Sequence, residues 1–344
     1  MTVSTSMMLS RCFYPSKWVK ACSRLMIASL FLGGPIIVHA ADQYPQRPVS
    51  IVVPYGTGGI ADLVPRVVTN SIGNELSQPF ILENKPGAGG MIGSDYVRRQ
   101  PADGHTILLA ATNNLVMNQF LFKGQKLDPL KSFVPVAKIA TVPLVIVVNA
   151  SLPVNNLAEL VEYIRKNPES TNFNSPSMGT MPHIAGEVFL ETLGLRATHI
   201  PYGGGGGMAT ALGSGEVQFA IIGYTTVQSV ISSGRVKPLA VIARERLKVL
   251  EHVPTVAQAG YPQLLDAILP NWWAFVVKSG TPPAIVAQLS KVVKEQLMKP
   301  VVIKSYQDMG MVASFEDSAQ MKKELSVEAE TWQKKIADLN ISVQ

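Results

Sequence analysis

One unit constrains this chain more than any other. The run Val49 to Val53 is β-branched and apolar, breaks at Pro54 and Gly56, and gives way to apolar residues at helical spacing: Leu63, Val64, Val67, Val68 and Ile72. That order is a strand, a glycine loop and a helix start. Gly56, Gly58 and Gly59 place no side chain between the backbone and a ligand, so their amides can point at an anion in front of the helix's positive end. An ordinary strand-to-helix turn is the alternative, because a lone glycine loop is a weak signal.

The same logic recurs from Tyr44 onward, short apolar runs alternating with amphipathic segments, which predicts an α/β fold with largely parallel sheets. PFILEN (79–84) is a second strand, and KPGAGGMIGSDYVRR (85–99) is a glycine turn and a helix. HTILLAATNN (105–114) is a buried strand whose carboxyl end carries Asn113 and Asn114, the place where open α/β sheets bind ligands. A helix N-cap is the other use of such an Asn. The β-branched run 134–148, interrupted by Pro143, holds a first boundary near Thr141. TNFNSPSMGTMPHIAGEVFLETLG (171–194) repeats the opening unit, with Ser175, Ser177 and Thr180 as hydroxyls beside free helix-start amides, and the helix beginning near His183. It forms a second anion cradle. HIPYGGGGG (199–207) puts five glycines between a strand and a helix, a loop built for close approach. A second boundary falls just before PTVAQAGYP (254–262), and the chain then gives a Trp-containing strand and a mainly helical end.

At 344 residues, two domains of roughly 100 to 200 residues each are expected. The first forty residues differ in kind. Arg11, Lys17, Lys20 and Arg24 precede the apolar run Leu25 to Val38, and Val38-His39-Ala40 follows the small-x-small rule, so residues 1–40 are expected to be a secretory signal peptide. The 14-residue run is short of the roughly 20 residues a membrane span needs. Without that leader, 30 − 4 = 26 basic residues face 24 acidic ones, a formal charge of +2, and no nucleic-acid partner is expected. Both cysteines, Cys12 and Cys22, also fall in the leader, so neither disulfide nor thiolate chemistry is expected of the rest.

Enzyme signatures are missing. There is no GxSxG elbow or Walker loop, and His39, His105, His183, His199 and His252 are scattered singly, so neither a metal nor a catalytic group is expected. Asp62, in a helix's first turn, reads as structural. A rival reading takes Gly56, Gly58 and Ala61 as a GxGxxA fingerprint with Glu83 about 20 residues on, a Rossmann dehydrogenase. An export signal and a second hydroxyl-rich cradle both argue against it.

The blocks YPQRPVSIVVPYGTGGIAD, ILENKPGAGGMIGSDYV, PADGHTILLA, SPSMGTMPHIAGEVF, HIPYGGGGG and VPTVAQAGYP, with the Trp strand before SGTPP, resemble the Bug-type extracytoplasmic solute-binding proteins of tripartite tricarboxylate transporters. The resemblance implies a two-lobed periplasmic binding protein of the Venus flytrap type, with two mixed, mostly parallel sheets and a cleft between. Lobe one would comprise residues 41–141 plus 255–344, and lobe two residues 142–254. It implies a monomer without cofactor, which captures a small organic carboxylate, a di- or tricarboxylate or an aromatic acid, and delivers it to membrane subunits of the transporter. A periplasmic sensor for signalling is the alternative. The carboxylate would be held by Tyr55, Gly56, Thr57, Gly58 and Gly59, with Asp62, Asn113 and Asn114 nearby. Across the cleft would stand Ser175, Ser177, Met178, Gly179, Thr180 and His183, then Tyr202, Gly204, Gly223, Tyr224 and Trp272. Ile222 and Gly223 stand where family members often carry an acidic or amide pair, which predicts a ligand with an apolar or aromatic body, lined by Tyr202, Tyr224, Trp272 and Trp273.

Overall fold

The computed structural model describes residues 44–122 and 127–339, and the expected leader lies outside them. Among the described residues no helix is long and apolar enough to cross a membrane. The strands are β1 (Val49–Val53), β2 (Phe80–Asn84), β3 (Thr106–Ala111), β4 (Phe133–Thr141), β5 (Leu144–Asn149), β6 (Asn172–Ser175), β7 (Thr198–Pro201), β8 (Phe219–Gly223), β9 (Val236–Ile242), β10 (Trp272–Lys278) and β11 (Val312–Asp317). They form two sheets, ordered β11-β4-β10-β3-β1-β2 and β7-β6-β8-β5-β9.

The chain leaves the first sheet at Thr141, enters the second at Leu144 and returns to the first at Trp272. The outgoing strand β4 and the returning strand β10 run in opposite senses through the same hinge and pair antiparallel. β5 pairs antiparallel with β8 and β9. Parallel ladders join β1 to β2 and β3, and β6 to β7 and β8. Both sheets are therefore mixed, and antiparallel pairing is more extensive than the βα alternation alone predicts, because a chain that crosses between sheets must come back. At the hinge the Val142 amide donates to the Asn271 carbonyl at 2.8 Å.

Strands buried on both faces read as continuous apolar runs, and the pleat then assigns alternate residues to different cores. In β1, Val49, Ile51 and Val53 join one cluster while Val52 joins another. β10 divides the same way: Trp273, Phe275 and Val277 on one side, Trp272, Ala274 and Val276 on the other. Helices α1 (Ile60–Glu75), α2 (Met91–Arg98), α3 (Leu157–Lys166), α4 (Met181–Thr192), α5 (Gly205–Ser214), α6 (Tyr224–Ser232), α7 (Pro283–Leu297), α8 (Pro300–Asp308) and α9 (Ser318–Asp338) complete the layers. The GxGxxA reading fails on topology. β1 lies between β2 and β3, with antiparallel β10 next in line, which is not the 3-2-1-4-5-6 order of a dinucleotide fold.

On the face of β10 away from the hinge cavity, Trp272 Nε1 donates to Glu328 Oε2 at 2.9 Å and Oε1 at 3.1 Å. Burial nevertheless pushes the Glu328 carboxyl up to about 7. Unfolding releases that proton from a carboxyl whose ordinary value is near 4.5, so the group favours folding in acid and its contribution is lost as pH rises through 7. Glu328→Gln should therefore melt higher than the parent at pH 8 and show no such gain at pH 5. Differential scanning calorimetry at the two pH values decides it, and an equal gain at both would sink the ionisation argument.

Candidate functional site

Between the sheets lies a cavity of about 920 Å³. Its wall is built from five places where a helix or turn begins. Gly59 precedes α1, Gly87 precedes the turn Ala88–Gly90, Thr180 precedes α4, Gly204 precedes α5 and Gly223 precedes α6, and in none of these does a side chain cap the first turn. Residues from all five line the cavity. Capping by side chain occurs elsewhere, at Asn156 for α3, Asp317 for α9 and Asp128 for the short helix Pro129–Ser132. All three side-chain caps lie away from the cavity, where α7 and α8 also start uncapped. A helix start without a cap leaves its first amides free for another acceptor. Among the described residues no Lys, Arg, His, Asp or Glu lines the cavity, so what they offer an anion there is backbone amides and helix starts.

The first loop is fixed from behind. Asn84 Nδ2 donates to the Tyr55 carbonyl at 3.0 Å, and the Tyr55 hydroxyl donates to Asn113 Oδ1 at 2.9 Å. Asn113 Nδ2 and Asn118 Nδ2 both donate to the Gly89 carbonyl, at 2.9 and 2.8 Å. Asn114 Oδ1 accepts from the Ala111 amide and its Nδ2 donates to Ser94 Oγ, whose own hydroxyl reaches the Gly90 carbonyl at 2.9 Å. These amides hold the glycine loops in place. Gly90, at φ 97°, lies so close to Tyr55 that a Cβ would stand 3.0 Å from its hydroxyl oxygen, so only glycine fits both the conformation and the space.

The second loop is supported by histidines. The Ser175 and Thr180 hydroxyls both donate to the Ser177 carbonyl, at 3.0 and 2.7 Å, which leaves Ser175 Oγ to accept from His199 Nε2 at 2.8 Å. The His199 ring stacks on His183 with centroids 4.0 Å apart, and His183 Nδ1 accepts the Gly179 amide at 3.2 Å. That acceptor role requires a neutral His183 with its proton on Nε2. The Ser177 side chain and Met178 face the cavity.

Ten of the residues expected from the sequence line the cavity: Tyr55, Gly56, Thr57, Gly59, Asn113, Ser177, Met178, Thr180, Gly204 and Gly223. The others lie behind or beside the wall, each for a visible reason. Asp62 pairs with Arg66 at 3.1 Å one turn along α1. Gly58 supplies the positive φ of 77° that turns the loop. Asn114, Ser175, Gly179 and His183 are the supports just described. Tyr202 turns outward to Glu216, and Tyr224 packs under Gly310, where a Cβ would meet its ring at 2.9 Å. Trp272 points to the opposite face of β10, and it is Trp273 that lines the cavity, edge-on to Tyr55 at 5.6 Å. Ile60, the turn 86–90, Phe122, Gly203, Gly205–Gly207 and Asn271 also belong to the wall. The KPGAGGM segment had the same glycine-then-helix signature as the two cradles and could have been found by it. Phe122 carries no such signal.

The fold and cleft define a two-lobed binding protein of the periplasmic type. The profile described as "Tripartite tricarboxylate transporter family receptor" matches residues 64–341, and the chain belongs to that family, as a Bug-type receptor. It is 30% identical over 309 residues to Protein BugT of Bordetella pertussis, covering 90% of this chain and 93% of that one. Among solved structures it resembles R. palustris Rpa4515 with adipate, at 29% identity and a TM-score of 0.82, over 87% of this chain and 99% of that one. MatC from Rhodopseudomonas palustris with bound malate is similar at 26% identity and a TM-score of 0.77, over 85% and 100%.

Burial holds His183 down to about 4 and, with the neighbouring His183 ring, His199 down to about 3. An unfolded chain takes up these protons near 6.5, so the pair's contribution to stability is present above 6.5 and is lost as pH falls from there toward 4. The melting temperature should drop across that window, and the imidazole Cε1 proton resonances of both rings should show no titration above pH 5. A ring that titrates near 6.5 would refute the neutral, stacked arrangement.

Proposed function

We propose that this protein binds a small organic carboxylate between its lobes and presents it, chemically unchanged, to the membrane subunits of a tripartite tricarboxylate-type transporter in the periplasm. The observation that carries the reading is the convergence of five uncapped helix or turn starts on one cavity lined, among the described residues, by no charged side chain. Each of the four α-helix starts among them contributes about 0.3–1 kcal/mol to an anion when exposed and up to about 2 kcal/mol when partly buried. Amides and hydroxyls around a carboxylate also make charge-assisted bonds of the stronger kind. The named ligands of two similar structures, adipate and malate, support a carboxylate for this chain.

The cleft offers a means of signalling occupancy. A ligand touching the loop 55–61 of one lobe and the loops 177–182 and 203–207 of the other stabilises the closed arrangement by contacts that the open one lacks. The delivered species is then distinguished from an empty receptor by lobe geometry.

A thermal-shift screen of mono-, di- and tricarboxylates tests the reading. A ligand at a hundred times its dissociation constant should add about 2.7 kcal/mol to stability. No carboxylate raising the melting temperature would defeat the proposal. Ser177→Ala removes a hydroxyl from the cavity wall and should weaken the best ligand by about 1 to 3 kcal/mol, measured by titration calorimetry, with circular dichroism unchanged.

A further inference from the structure

Gly223 ends β8 and precedes α6 with φ −63° and ψ 137°, a backbone conformation open to any residue. Its glycine is therefore not needed by the turn. It is also an N-cap position, where Ser, Asn or Asp would satisfy a free amide, and the chain forgoes that stabilisation. What the position lacks is room. A Cβ there would stand 2.7 Å from Ile60 Cδ1 and 2.9 Å from Val142 Cγ1. Ile60 opens α1 in the first lobe and Val142 lies in the hinge, so the missing side chain leaves a notch that the opposite lobe fills.

Two contacts seat the same turn on the first lobe. Tyr224 packs against Gly310, and Thr225 Oγ1 donates to the Met309 carbonyl at 2.5 Å. Residues 224 and 225 thus rest on the first lobe through side chains outside the cavity lining. Gly223 differs from the other two because it also lines the cavity, together with Ile60 and Ile222. Phe122, Met181 and Trp273 extend this apolar wall.

We propose that Ile60 seated at Gly223 is the closure stop and a specificity-determining contact of the cleft. A side chain at residue 223 would have to displace Ile60 or Val142 at this lobe contact, and the wall formed there presents aliphatic surface to the body of the ligand. A hydroxyl turned toward that wall would lose its water without gaining a partner. The cleft therefore takes a carboxylate with an apolar body in preference to its hydroxylated counterpart. This selectivity rests on the carboxylate reading above, while the steric stop does not.

The test uses Gly223→Ala, and Gly223→Ala combined with Ile60→Ala, in the exported protein. Small-angle scattering should show a larger radius of gyration for the single variant, with ligand and without, and a return to the parent value in the double variant. Titration calorimetry should show adipate bound at least tenfold more weakly by the single variant, and more tightly by the double variant than by the single one. The parent should bind adipate at least tenfold more tightly than 3-hydroxyadipate. Unchanged scattering and affinity in Gly223→Ala, or a double variant no better than the single, would overturn the stop. Equal binding of the two acids would overturn the selectivity. If no carboxylate binds the parent but the scattering still opens and recovers, the carboxylate reading fails and the stop stands.

Discussion

The constraint on which the rest of the structure depends is the convergence of uncapped helix and turn starts from both lobes on one cavity whose described lining residues carry no charge. Arg or Lys would give a stronger point charge, but it would also carry a long flexible side chain and a counter-ion or water shell to be displaced. Amides at helix starts are fixed by the helices themselves, so little is lost in ordering them when ligand arrives. The arrangement makes two demands on the fold. Several helices must start at one place, and no side chain at their caps may take up the first-turn amides; Thr180 complies because its hydroxyl donates to the Ser177 carbonyl instead. The glycines at 59, 87, 204 and 223 meet the second demand, and the parallel βαβ units of both sheets, which bring strand ends and helix starts to the cleft, meet the first.

Glycine loops aimed at a ligand would be soft without support, and the support is polar and buried. Asn113, Asn114 and Asn118 tie the first lobe's loops to one another through side-chain amides that both donate and accept. In the second lobe the stacked pair His183 and His199 does the corresponding work, one ring accepting a loop amide and the other donating to Ser175. All of these groups are neutral. A charged support would alter the potential at the carboxylate and would need its own compensation in a poorly hydrated region.

The fold was legible in the sequence because its signals are local. A β-branched run, a glycine loop and a helical period fall within about 25 residues of one another, and the unit repeats. The antiparallel strands at the hinge were less legible, since pairing between β4 and β10 joins residues more than a hundred positions apart and follows from the path of the chain. The site divides along the same line. Cradle residues such as Tyr55, Gly59, Ser177 and Gly204 belong to local motifs and line the cavity, whereas the aromatic lining depends on which way a strand residue points. Trp272 and Trp273 are adjacent and chemically identical, and only the pleat, set by pairing with β3 and β4, decides that Trp273 lines the cavity. Phe122 lies between Gly89 and Gly179, one from each lobe, a placement no local pattern encodes.

Closure of such a cleft is a balance of two sets of contacts. Those at residues 223–225 and at Phe122 exist between the lobes themselves, without any ligand. Those of the cradles exist only through a ligand that reaches both walls. A ligand shifts the equilibrium by its differential affinity alone, however tightly it binds one wall. A carboxylate too short to span from the loop at 55–61 to the serine and glycine loops opposite would occupy the first cradle without favouring closure. With the proposed stop at Ile60 and Gly223 limiting closure toward a smaller molecule, ligand length would be read together with ligand charge.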